Sequence, residues 1–196
     1  MARLIGTAAV AGVVLASLTG CAVDSTRVDE ASPPAAIVVG SGQSAESQVI
    51  AEIYAGALRA AGAPVQTRLR LAPGQDLVEL DAGSVTLVPE YTGSLLDRFH
   101  PGAAETDPDT VFEELNRSLP EGLSVSDYAM AEEPGTGAEP QNVVPLMRTG
   151  ALTEEQVKAL NVVAGELTST DLAELAEQVR GGRGPGEVAA DWLAAR

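Results

Sequence analysis

Residues 37–93 run IVVGSGQSAESQVIAEIYAGALRAAGAPVQTRLRLAPGQDLVELDAGSVTLVPEYTG, and the spacing of their apolar residues changes period four times. Ile37-Val38-Val39 is a short apolar run that stops at Gly40-Ser41-Gly42, the pattern of a buried strand followed by a turn. From Glu46 to Ala61, Val49, Ile53, Ala57 and Ala60 recur at helical spacing, and Gly62 ends the helix. Val65, Thr67, Leu69 and Leu71 alternate as in a second strand. Gln75 to Ala82 predicts a short helix closed by Gly83, and Val85 to Val88 a third strand ended by Pro89. Strand, helix, strand, helix, strand with short links predicts an α/β fold, a mostly parallel sheet flanked by helices. Ligands of such sheets sit beyond the carboxyl ends of the strands. Those ends carry Gly40-Ser41-Gly42-Gln43 and Pro89-Glu90-Tyr91-Thr92-Gly93.

Downstream, Val111, Leu115 and Leu119 place a helix over Asp107 to Leu119. Ser124 to Met130 reads as extended, Glu132 to Pro140 as a loop, and Val143 to Met147 as a strand. Three helices close the chain. Thr153-Glu154-Glu155-Gln156 fits a capping box for the first of them. Thr168 or Ser169 caps the second, and Pro185 suits the first turn of the third.

Upstream, Arg3 is followed by an apolar run with Leu4, Ile5, Val10, Val13, Val14, Leu15 and Leu18. A basic start, a short apolar core and small residues at its end make a secretory signal over residues 1–20. Leu18-Thr19-Gly20-Cys21 resembles the bacterial lipobox, which implies lipidation of Cys21 and a place on the extracytoplasmic face of the cell membrane. Cys21 is the single cysteine, so no intramolecular disulfide is possible. Residues 21–36, with Asp24, Ser25, Thr26, Pro33 and Pro34, have no hydrophobic period and read as a flexible tether. Residues 37–196 then make one domain.

The chain has 196 residues, 45% of them hydrophobic, enough for a real core. Its formal charge of −16 argues against nucleic acid and against lying on anionic lipid.

Gly40-Ser41, Glu46, Glu52-Ile53-Tyr54-Ala55, Ala57-Leu58, Ala61-Gly62 and Pro89-Glu90-Tyr91-Thr92-Gly93 resemble the glycine betaine/choline/carnitine substrate-binding proteins of osmoprotectant ABC importers. A second stretch of likeness begins at Asn142-Val143-Val144-Pro145-Leu146-Met147-Arg148 and runs on to Val188-Ala189-Ala190-Asp191-Trp192-Leu193. The resemblance implies a type II periplasmic-binding-protein-like fold, in which two lobes joined by crossing strands close on the ligand. Between the expected crossing at Ser124 to Met130 and the return at Gln141 to Met147 there is only a loop, too short to fold as a lobe. The expectation is therefore a single lobe, residues 37–130 plus the returning segment 141–196, with the second lobe missing.

Quaternary ammonium donates no hydrogen bond, so it is recognised by aromatic faces and by exclusion of water. The resemblance implies a tyrosine-built cage, and Tyr91 is its best candidate here. Glu90 and Thr92 beside it, Gly40 and Ser41 at the first strand end, and Tyr128 near the crossing complete the candidate ligand-binding set. Gly42, Ser44 and Ala45 stand where members of the family usually carry Lys, an aromatic and Thr. No catalytic residue, metal site or cofactor is expected. His100 is the only histidine, and no Cys/His spacing or phosphate-cradling glycine motif is present. The sequence thus points away from an enzyme. It points to a lipid-anchored solute-binding component that hands a quaternary amine to an ABC permease. The alternative is a degenerate lobe that binds no solute and serves as an interaction module of the cell envelope.

Overall fold

A computed structural model describes residues 36–132 and 142–196. The expected signal, Cys21, the tether up to residue 35 and residues 133–140 of the expected loop lie outside them. The first five elements are β1 (Ile37–Gly40), α1 (Ala45–Ala60), β2 (Val65–Arg68), α2 (Gln75–Asp81) and β3 (Leu87–Tyr91). They alternate as the sequence predicts. α3 (Thr92–Phe99), α4 (Pro108–Ser118), β4 (Leu123–Val125), β5 (Ala129–Glu132) and β6 (Asn142–Arg148) follow. α5 (Glu154–Glu166), α6 (Ser169–Arg180) and α7 (Pro185–Ala194) end the chain.

All six strands share one sheet in the order β2-β1-β3-β6-β4, with β5 also paired to β6. β2, β1 and β3 are parallel. β3, β4 and β5 each run antiparallel to β6. Five strands therefore point one way and β6 alone points back, which gives the mostly parallel sheet its reversed member. β6 is thus central, and its alternate residues feed two cores. Val143 and Met147 face the larger core with Ile50, Ile53 and Leu58 of α1, Leu160 of α5, Leu172 of α6 and Trp192 of α7. Val144 and Leu146 face the smaller one with Leu80 of α2, Leu95 of α3 and Leu115 of α4. Period-two alternation on a strand buried on both sides demands this division.

Pro89 does not end β3, contrary to the sequence reading. The strand runs on to Tyr91, and Pro89 lies directly opposite Pro145 of β6. Neither residue has an N–H to give, and an antiparallel ladder contains facing pairs that exchange no hydrogen bond. Two prolines fit such a pair together. On its other side Pro145 falls opposite the break between β4, which pairs as far as Leu146, and β5, which pairs from Val143. β2 is also shorter than its alternation suggests, because Arg70 adopts a left-handed backbone (φ 65°) that no strand continues through. α3 was not foreseen at all.

Gly40 is fixed by packing. A Cβ there would lie 2.9 Å from both Val85 Cγ1 and Val88 Cγ1. β1 can therefore reach its end only without a side chain.

Candidate functional site

The carboxyl ends of β1, β2 and β3 open on a cleft of about 300 Å³. Gly42, Ser44 and Ser47 form one wall, the segment Leu71–Gly74 with Asp76 a second, and Val88 to Tyr91 the floor. Its position follows from topology: each crossover helix leaves the same edge of the sheet, so the turns that start α1 and α2 meet there.

The turn into α1 is internally satisfied. Ser44 Oγ accepts the Ser47 N–H (3.1 Å), and the Gly42 N–H donates to Ser47 Oγ (2.7 Å). Ser41 is fully buried behind it. Its hydroxyl donates to the Gly42 carbonyl (2.9 Å) and accepts the Arg70 N–H (3.0 Å). The Leu71 N–H donates to the Ser41 carbonyl (2.8 Å), so Ser41 ties the β2–α2 loop to the tip of β1.

Glu90 brings the charge. Burial, then the Asp76 carboxylate beside it, push its pKa up to about 8, against the opposing pull of Arg98 and the Tyr91 N–H. Asp76 is itself held by Arg98 Nη1 at 2.6 Å. The cleft thus contains two carboxylates, one neutralised by an arginine and one disposed to keep its proton near neutral pH. Tyr91 is half-buried at the end of β3 and packs on the larger core. Beneath it Tyr54 is buried, and burial raises its phenol pKa, with Tyr91 adding to the effect. An aromatic ring beside a buried carboxyl that a neighbouring cation would help to ionise, in a walled cleft, is an arrangement that can take an organic cation.

Of the candidates read from sequence, Glu90 and Tyr91 line this cleft. Gly40, Ser41 and Thr92 are buried immediately behind it. Tyr128 lies elsewhere. Its ring packs on Phe112 of α4 (centroids 5.1 Å apart), its hydroxyl donates to Asp109 Oδ1, and it borders a separate hollow with Asp127 and Asn161. Asp76, Arg98 and Ser47 escaped the sequence reading. Asp76 had a signal, since the first turn of a crossover helix falls at the carboxyl edge. Arg98 had none, because it belongs to the unforeseen α3.

A second hollow of about 320 Å³ lies between α1, α5 and α7. Its walls are mainly alanines, Val162 and Trp192, and the Arg196 guanidinium already covers the Trp192 ring at 3.8 Å. It lacks convergent polar groups and is not the candidate. Among the described residues, no group of His, Cys, Asp or Glu could hold a metal ion, and no helix is long and apolar enough to cross a membrane.

Residues 35–136 match the family described as the substrate-binding domain of ABC-type glycine betaine transport systems. No curated protein matches the chain. Among solved structures, apo YehZ from Escherichia coli is similar with a TM-score of 0.71 and 14% identity, over 82% of this chain and 98% of that one. A glycine betaine/carnitine/choline ABC transporter protein gives a TM-score of 0.67 and 11% identity, over 82% and 97%. At such identities these two likenesses speak for the fold.

Proposed function

Since the chain belongs to the family of substrate-binding domains of ABC-type glycine betaine transport systems, we propose that it is the solute-binding component of an importer for glycine betaine- or choline-like quaternary amines. It serves an ABC permease from the extracytoplasmic face of the cell membrane, held there by lipid on Cys21. The observation that carries this reading is the cleft at the ends of β1 and β3, where Tyr91, Glu90 and Asp76 meet. Tyr91 offers a ring face to the diffuse positive charge, and Glu90, protonated near neutral pH, adds a balancing charge when the bound cation draws it into its ionised form.

The chain supplies one side of the cage. Only nine residues, 133–141, join β5 to β6, where the two-lobed plan inserts its second lobe. One cation–π contact is worth roughly 0.5–2 kcal/mol, against about 8 kcal/mol for micromolar binding. Affinity is therefore expected in the millimolar range. Tyr91 is the single aromatic on the cleft, which favours the second reading, a lobe that docks on a membrane partner without taking solute.

The two readings separate in one titration. The full chain in a non-ionic detergent is titrated with choline, glycine betaine and carnitine and followed by amide chemical shifts. Saturable shifts at residues 42–47 and 88–91, abolished by Tyr91→Ala, support the solute receptor. Absence of any shift at 50 mM solute, with retained capture of a permease, supports the docking module.

A further inference from the structure

Trp192, the only tryptophan of the chain, stands in α7 and lines the hollow of about 320 Å³ between α1, α5 and α7. Its ring already carries a cation. The Arg196 guanidinium lies over it, 3.8 Å from the ring centroid. Two carboxylates flank that guanidinium: Glu166 Oε2 is 3.3 Å from Arg196 Nε, and Asp171 Oδ1 is 2.9 Å from Arg196 Nη2. Against the effect of burial, hydrogen bonds from Thr168 and the charge of Arg196 hold the Asp171 carboxyl below its ordinary pKa, so it is ionised at neutral pH. Arg196 Nη1 also donates to the Trp192 carbonyl (3.2 Å). An indole face flanked by carboxylates is the surrounding that suits an organic cation, and here the chain occupies it with its own arginine.

The guanidinium does not fill the hollow. Ala57, Ala60, Ala61, Ala159 and Val162 wall the remaining space, and Val162 is 61% exposed, so the space opens to solvent. Those walls offer methyl groups and neither donor nor acceptor. A solute that needs hydrogen bonds gains nothing from them. A quaternary ammonium needs none: its charge is spread over methyl groups that meet the ring face and the alanines alike. Arg196 lies beyond the end of α7 at Ala194, so its side chain can leave the ring without breaking a helical turn. No residue of this hollow lines the cleft at the ends of β1 and β3.

We propose that this hollow is a second binding site, separate from the cleft, for a small quaternary ammonium that displaces Arg196 from the Trp192 ring. Trp192 supplies the aromatic face. Glu166 on the wall and Asp171, released by the departing guanidinium, supply the counter-charge. Arg196 is then an intramolecular competitor. Only molecules whose arginine has left the ring bind, so the apparent dissociation constant rises in inverse proportion to that open fraction. Removing the arginine removes the competition. The site stands or falls without the receptor reading, because the cleft contributes nothing to it.

With a single tryptophan, indole emission reads this site directly. The full chain in a non-ionic detergent is titrated with tetramethylammonium chloride and with choline chloride. Sodium chloride at equal ionic strength is one control, and the neutral carbon isostere of choline, with tert-butyl in place of trimethylammonium, is the other. The expected result is a saturable change in Trp192 emission with both ammonium salts and none with either control. Tyr91→Ala leaves that response unchanged within about twofold, since a cation–π contact acts only at its own ring. Arg196→Ala tightens binding about 3–10-fold, as for removal of one seated cation. Arg196→Gln, which keeps most of the stem and loses the charge, moves it in the same direction, and an unchanged circular dichroism spectrum verifies the fold of each variant. No saturable change in either the unmodified chain or the Arg196 variants overturns the site, as does an equal response to the neutral isostere. A response lost in Tyr91→Ala originates in the cleft and overturns it too. Weaker binding in both Arg196 variants overturns the arginine's role as competitor. A cleft that takes no solute, with the Trp192 response retained, sinks the receptor reading and leaves this site standing.

Discussion

Tyr91 and Glu90 are neighbours in sequence, but the sheet gives them opposite partners. Tyr91 packs with the larger core above Tyr54, while Glu90 stands opposite Val144, a residue of the smaller core, and shares the cleft with Asp76. If the ring face of Tyr91 carries recognition, Tyr91→Phe keeps solute affinity within about twofold. Tyr91→Ala lowers it by roughly 3–30-fold, the range of one cation–π contact; calorimetry or shift titration reads the difference. Loss of binding in the Phe variant would shift the role to the hydroxyl. Glu90 predicts a pH dependence of two kinds. Its folded pKa of about 8 exceeds the ordinary carboxyl value of 4.5, so between those values the folded chain holds a proton that the unfolded chain has released. Stability contributed at this position therefore falls as pH rises from about 4.5 and levels off above about 8. Glu90→Gln removes that slope and stabilises the protein at pH 9 by on the order of 2–4 kcal/mol; urea melts at pH 5 and pH 9 measure it. A cation in the cleft favours ionised Glu90, so affinity for choline rises with pH between 7 and 9 in the unmodified chain and is flat in Glu90→Gln. A variant whose stability difference is the same at pH 5 and pH 9 would contradict the assignment.

At the level of the element, caps and periods were legible and pairing was not. The Thr153-x-x-Gln156 signature forms as a reciprocal cap, with Gln156 N–H to Thr153 Oγ1 at 3.3 Å and Thr153 N–H to Gln156 Oε1 at 2.9 Å. Thr153→Ala is expected to cost about 1 kcal/mol and to lower the melting temperature by a few degrees, with solute binding unchanged because α5 lies away from the cleft. A shift below half a degree would mean that water caps the helix as well as Thr153 does. Repeating apolar positions located α1, α2 and α4 to α7 within one or two residues, since each buries one stripe against the sheet. β3 was misjudged because proline is judged locally as a breaker, whereas its fitness here depends on facing Pro145, 56 positions away in sequence. α3 was missed for a related reason. Thr92–Phe99 is eight residues long, and its burial of Leu95 and Leu96 is set by the sheet beneath and by α4. Site residues followed the same rule. Strand ends named Glu90 and Tyr91, but the Asp76–Arg98 pair joins two helices, α2 and α3, and leaves no local pattern.

The whole molecule is organised by one sheet with a core on each face, and β3 and β6 contribute to both. Neither core has a boundary of its own, because removing a side chain from one face of β6 disturbs the strand that supports the other. The strands that flank residues 133–141, β5 and β6, both lie in the sheet, and α5 to α7 pack with α1 in the larger core while α2, α3 and α4 supply the smaller one. A single cooperative unfolding transition follows. Trp192, the only tryptophan, sits in the larger core and reports on it. Leu146 is fully buried in the smaller core on the other face. Leu146→Ala is expected to destabilise the protein by about 2–5 kcal/mol, and the Trp192 fluorescence midpoint in urea must fall by as much as the circular dichroism midpoint. Two independent halves predict the opposite, a fluorescence transition left in place while part of the helical signal melts early. Coincident shifts at a probe on the far side of the sheet are what a shared pair of central strands requires.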